Sequence, residues 1–257
     1  MPIELIDSHA HLDFEDFAAD FKGMLSRAAQ AGVVGLVSIG SSTSFESAER
    51  AIKLAEQYPN IWASAGIHPH AAATEFDPEK LKAFCKHPRV VAVGETGLDF
   101  FREWSPREDQ ERWFRAQIEI AKEVKKPLII HSREAGQQSL KILKELHADD
   151  IGGVYHCFSE NDEFAKALKD INFLVSFPGT ITFKKNDTLR EIVRKIPLEQ
   201  IMVETDAPYM APEPNRGKTC ESAFVADTAK MVAKIKGMPF EECAKILTAT
   251  TKRFFSI

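Results

Sequence analysis

The stretch "SPREDQERWFRAQIEIAKEVKKPLIIHSRE", residues 105–134, contains one complete helix-then-strand unit. Ser105 suits a helix N-cap, Pro106 the first helical position, and Glu108 completes an S-x-x-E capping box. Phe114, Ile118, Ala121 and Val124 then recur on one helical face. Pro127 stops the helix, and "PLIIHS" follows as a short apolar run that ends on a histidine.

The same alternation extends in both directions. Strand-like runs are "IELID" (3–7), "VVGLVSIG" (33–40), "IWASAGIH" (61–68), "VVAVGET" (90–96), "GGVYHCFS" (152–159), "NFLVSFPG" (172–179) and "QIMVETDAP" (200–208). Helical patterns lie between them, as in "SFESAERAIKLAEQYPN" (44–60) and "FVADTAKMVAKIKGMP" (224–239). The runs are continuously apolar, as strands of a parallel sheet are when both faces are covered. Eight such runs alternating with helices predict an α/β fold, a single (β/α)8 TIM barrel. A doubly wound open sheet would use the same alternation. No linker-like segment interrupts the pattern, so residues 1–257 are read as one domain.

Composition is that of an ordinary globular protein, and the net charge of −5 argues against a general nucleic-acid coat. Glu4 and Asp7 stand where a signal peptide would be basic and then apolar, and no apolar run is long enough to span a bilayer. A cytoplasmic location without membrane contact is expected. Cys85, Cys157, Cys220 and Cys243 are too scattered for a disulfide framework or a zinc finger. Cys157 is expected to be a buried small hydrophobe pointing away from its neighbour His156, and Cys220 to be an exposed thiol.

Polar residues interrupt the strands at their C-terminal ends, where barrel enzymes build their sites. They are His9 and His11, His68 and His70, Glu95, His131, His156, and Glu204 with Asp206. Residues i and i+2 of a strand project together. Two adjacent imidazoles in a buried mouth repel when protonated, and a divalent cation relieves that by binding them neutral. Ordinary hydrogen-bonded histidines are the alternative reading for the H-x-H pair alone. Together His9, His11, Glu95, His131, His156 and Asp206 exceed the three ligands of a typical catalytic zinc site. They suit two ions sharing a carboxylate, as in phosphatases and nucleases, with Glu95 the candidate bridge.

The segments "DSHAHLD", "GIHPH", "GETGLDF", "PLIIHSREA", "HCFS" and "ETDAPY" followed by "RGK" together resemble the TatD family of metal-dependent deoxyribonucleases, which are amidohydrolase-like TIM barrels. The resemblance runs from residue 5 to about residue 250. It implies a 3′-to-5′ DNA exonuclease supported by magnesium. One ion would be held by His9, His11, Glu95 and Asp206, the other by Glu95, His131 and His156, with His68 near the scissile phosphate. The departures are "TCES" after "RGK", Phe101 after "GLD" and Glu160 after "HCFS"; they bear on substrate preference and spare the ligand positions.

The expected reaction is phosphodiester hydrolysis by water activated at the metal pair, with Asp206 accepting the proton and Glu95 joining the ions. Arg133, Arg216 and Lys218 are candidate phosphate contacts, and Glu204 a candidate for orienting water or a histidine. His70 is read as a structural or surface residue. Phe100, Phe101 and Trp104 are candidates for stacking on bases of single-stranded DNA. The imidazole-rich ligand set also suits Zn2+, Mn2+, Fe2+ or Ni2+. The rival readings are a barrel hydrolase for a cyclic amide, a lactone or an aminoacyl-tRNA ester, and an inactive barrel used as a scaffold. The partner expected is a DNA 3′ end; no protein partner is indicated.

Overall fold

A computed structural model of the chain describes residues 3–41 and 44–257. Its strands are β1 (Leu5–Ala10), β2 (Val33–Ser38), β3 (Ile61–Ala65), β4 (Val90–Asp99), β5 (Leu128–Arg133), β6 (Gly153–Tyr155), β7 (Phe173–Phe177) and β8 (Ile201–Val203). Its helices are α1 (Phe21–Gln30), α2 (Glu46–Gln57), α3 (Pro78–Lys86), α4 (Arg107–Val124), α5 (Gly136–Glu145), α6 (Asp162–Lys169), α7 (Asp187–Lys195), α8 (Val225–Lys236) and α9 (Phe240–Phe255). The strands pair in chain order from β1 to β8, all parallel. A doubly wound sheet would reverse its strand order at a switch point. The expected (β/α)8 barrel is therefore what forms.

Closure comes from the chain just beyond β8, which runs beside the end of β1. Asp206 N–H donates to His9 O at 2.9 Å, and His11 N–H donates to Ala207 O at 2.8 Å. Ala10 and Ala207 form a parallel bridge. These bonds place the β1 histidines against Asp206.

Two apolar layers hold the barrel. Leu5, Leu36, Ile61, Val93, Leu128 and Val175 belong to the large cluster shared with the helices. Val37, Val91, Ile129, Val154 and Met202 come from five strands and meet as a second cluster, joined by Phe255 of α9. The second cluster fills the barrel interior, so the polar mouth stands on a packed floor.

Two local expectations are corrected. Helix α4 starts at Arg107 with Pro106 as N-cap and no side-chain cap. Ser105 Oγ instead donates to His70 O and accepts from Ala73 N–H, both at 2.9 Å. A tertiary tie to the loop after β3 has taken the hydroxyl that a capping box would use. Cys220 is fully buried rather than exposed, with Sγ 3.9 Å from Thr205 O. Among the described residues no helix is long and apolar enough to cross a membrane.

Candidate metal centre

His9 lies in β1 and His11 one residue past its end, and both are buried. Their Nε2 atoms lie 3.6 and 3.5 Å from Asp206 Oδ1. Asp206 sits in the left-handed region, with φ 56°, a conformation that Asp tolerates better than most residues. The preceding residue is fixed by Asp7, whose carboxylate accepts from Thr205 N–H at 2.9 Å and Thr205 Oγ1–H at 2.6 Å.

Glu95 projects from β4 into the centre of the group. Gly97 lets β4 approach β5 there: a Cβ at that position would lie 2.0 Å from His131 O. The two Glu95 oxygens face different partners. Oε1 lies 2.8 Å from His131 Nδ1, 2.7 Å from His156 Nε2 and 3.4 Å from His68 Nε2. Oε2 lies 3.5 Å from His9 Nε2 and 3.9 Å from His11 Nε2. Donor atoms lie within 4.8 Å of one another in five clusters: His9 with His11 and Asp206, His9 with Glu95 and His156, His68 with Glu95 and His131, His70 with Asp99 and His131, and His156 with Cys157 and Glu204.

His68 is set apart by its second nitrogen. His70 N–H donates to His68 Nδ1 at 3.1 Å, which leaves the proton of the neutral ring on Nε2. Burial pushes His68 down to about 4, so the ring is neutral near pH 7. It presents an N–H donor to the mouth rather than a lone pair for a metal.

Neighbouring charges in the mouth set several titrations against burial. Burial alone would raise Glu95, yet the charges of His156 and His68 and hydrogen bonds from His131 and His156 hold it well below the usual carboxylate range. Burial opposes charge on His156, but Glu95 carries it well above the ordinary value. His131 is also raised against burial by Asp99 and Glu95. His9 goes the other way: burial and the charge on His156 lower it, and its ring stacks on His156 at 4.0 Å. Burial would raise Asp206, but His11 and His9 bring it below the ordinary range.

Behind these groups lies a layer that the sequence reading only partly found. Asp99 Oδ2 is 3.1 Å from His131 Nε2 and 2.7 Å from His70 Nε2. Its Oδ1 accepts from the N–H groups of Phe101 and Arg102 at 3.0 and 2.9 Å. Asp99 looks like a loop residue if the fourth strand ends near Thr96, but β4 runs on to it. The available signal is its spacing of four residues from Glu95 on one strand, which puts both on one face. Glu204 is fully buried beneath His156, 3.7 Å from Nδ1, and accepts from Cys157 N–H at 2.6 Å. Cys157 does not point away: its Sγ, a His156 nitrogen and a Glu204 oxygen lie within 4.8 Å of one another. Cys157 has a φ of 45°, in the left-handed region, and is partly exposed.

The candidate substrate contacts lie further out. Arg133 is exposed, and its guanidinium stacks on Phe101 at 3.9 Å rather than on a carboxylate. Arg216 is exposed over the Phe183 ring at 4.3 Å, and Lys218 Nζ donates to Asn215 Oδ1 at 3.1 Å. Phe100 packs against the core beneath Arg107, whereas Phe101 and Trp104 are exposed. Tyr209, not singled out in the sequence, is exposed beside His11.

The chemistry of this donor set fits divalent cations. His9 Nε2, which faces Glu95 and Asp206, is buried without a hydrogen-bond partner. Buried polar atoms are seldom left so without a functional reason. Imidazole and carboxylate donors converging from five strands are what a metal centre needs.

A barrel mouth of this kind defines a metal-dependent hydrolase, and known proteins agree. Residues 6–256 match the profile of TatD related DNase. The chain is 40% identical over 255 residues to the metal-dependent hydrolase YabD of Bacillus subtilis, covering 98% of this chain and 99% of that protein. It is 31% identical over 261 residues to the 3′-5′ ssDNA/RNA exonuclease TatD of Salmonella typhimurium, covering 98% and 99%. The crystal structure of YjjV, a TatD homolog from Escherichia coli, superposes with a TM-score of 0.93 at 31% identity, covering all of both chains. The chain belongs to the TatD family of metal-dependent hydrolases.

Proposed function

We propose that this chain is a 3′-to-5′ exonuclease that hydrolyses phosphodiester bonds at the ends of single-stranded DNA, with two divalent ions. The carrying observation is the division of Glu95. Oε1 faces His131 and His156, and Oε2 faces His9 and His11, which also face Asp206. His9, His11, Asp206 and Glu95 would hold one ion; Glu95, His131 and His156 would hold the other. Ions held there would polarise the phosphate and lower the pKa of water.

The side chains supply the rest. Asp206, held ionised, is the base that takes the proton from attacking water. His68 Nε2–H donates to a phosphate oxygen, and donors fixed beforehand stabilise the charge that builds there. Glu204 orients His156 from beneath. Arg133 at the rim, with Arg216 and Lys218 on the loop after β8, meets phosphates further along the strand. Imidazole donors suit Zn2+, Mn2+, Fe2+ or Ni2+ at rest, with Mg2+ the working ion. The name of the Salmonella relative supports a single-stranded substrate and adds RNA as a second one.

The test is digestion of oligonucleotides labelled at the 5′ end, with the 3′ end free or blocked. Stepwise shortening of the free strand, lost on blocking and on chelation, is expected. Equal cutting of both strands would overturn the polarity. No cutting with any ion, together with turnover of lactones or cyclic amides, would overturn the nuclease reading.

A further inference from the structure

Four large apolar side chains are exposed among the described residues: Val34, Phe101, Trp104 and Tyr209. The last three lie on the loops after β4 and β8, at the mouth. Trp104 is 64% exposed and Tyr209 51%. The Trp104 ring lies 4.4 Å from His70, which shares Asp99 with His131. The Tyr209 ring lies 6.2 Å from His11 and 6.1 Å from Phe14. One exposed ring therefore flanks the His131 half of the centre, and the other flanks the His11 half. Guanidinium groups stand over the two rings of the loop after β4: Arg102 lies 5.1 Å from the Trp104 ring, and Arg133 lies 3.9 Å from the Phe101 ring.

Exposed aromatic rings are costly to hydrate, and a flat partner removes that cost. A nucleobase is flat and arrives with a phosphate attached, which matches rings set beside guanidinium groups around a phosphodiester site. Stacked bases are the usual means of holding a single strand without reading its sequence. Phe101 is less suited than Trp104, since Arg133 lies on its ring at 3.9 Å, closer than Arg102 over Trp104 at 5.1 Å, and it is less exposed, at 52% against 64%.

We infer that Trp104 and Tyr209 form a two-sided base clamp, each stacking on one of the two bases that flank the scissile phosphate of a single strand. The inference rests on the nuclease reading for its substrate, and its geometry comes from the rim. It explains how an acidic protein grips DNA at one end: two stacked bases set the phosphate over Glu95, and no extended basic surface is required.

The experiment is a set of double-mutant cycles between ring and base. Oligonucleotides carry an abasic residue at the last or the next-to-last 3′ position. The proteins are the unaltered chain, Trp104→Ala, Tyr209→Ala and, as a folding-neutral control, Trp104→Phe. Binding of labelled oligonucleotide is measured on chelated protein, and cutting is followed separately with metal. Removing a stacked base should weaken binding by about 5- to 150-fold in the unaltered chain. The same removal should matter less than about twofold once the matching ring is alanine. Each ring should match a different base, and Trp104→Phe should keep the coupling. A ring that couples to neither base, or two rings coupling to the same base, overturns the clamp. Coupling in binding without any cutting would sink the nuclease reading and leave the clamp standing; cutting without coupling does the reverse.

Discussion

His131 is held between two carboxylates, with Nε2 3.1 Å from Asp99 Oδ2 and Nδ1 2.8 Å from Glu95 Oε1. Asp99 fixes a proton on Nε2 and so leaves Nδ1 free to face an ion. Asp99→Asn should lower metal affinity at the His131 half by about 10- to 100-fold and leave the fold intact. Titration at buffered free metal, with circular dichroism as control, checks this. Unchanged affinity in a folded Asp99→Asn protein would remove Asp99 from the centre.

Loading metal should release protons. Against the pull of burial, Glu95 carries His156 well above the ordinary value, and Asp99 with Glu95 raises His131, which favours a proton on each ring. An ion must displace those protons, so apparent affinity should rise with pH, by roughly tenfold per unit for each proton displaced. His9 is lowered by burial and contributes none. Proton release measured with an indicator dye during metal addition at pH 7 should be positive. Uptake of metal without release would contradict these assignments.

Asp7 links β1 to the loop that carries Asp206. Asp7→Ala should cost on the order of 1–3 kcal/mol, because buried donors on Thr205 lose their acceptor. Burial pushes Asp7 up from 3.8 to about 7. A raised folded value means its stabilising contribution is fully present below pH 3.8 and lost as pH rises through about 7. The uncharged Asp7→Asn variant should therefore gain on the parent between pH 5 and 8 in urea melts of chelated protein. A difference that does not vary with pH would show that Asp7 stays ionised.

The eight strands were legible because apolar runs of strand length recur with helical patterns between them. The residues gathered at the mouth were legible because they end those runs. What escaped depends on contacts between distant segments. Ser105 has the sequence of a cap, but the loop after β3 takes its hydroxyl. Asp99 looks like a loop residue until β4 is seen to run on to it. Cys157 reads as pointing away, yet its thiol lies beside His156 and Glu204. Cys220 sits in a polar, basic loop, yet is buried against Thr205.

The central claim is that Glu95 joins two ion sites. Its most direct test is metal content, by elemental analysis, of Glu95→Ala and His131→Ala proteins equilibrated at the same free metal concentration. His131→Ala should lose one ion and keep the one facing His9, His11 and Asp206. Glu95→Ala should weaken both, since each ion loses an oxygen and the anion between two like charges is gone. A folded Glu95→Ala protein that holds two ions as tightly as the parent would contradict the account.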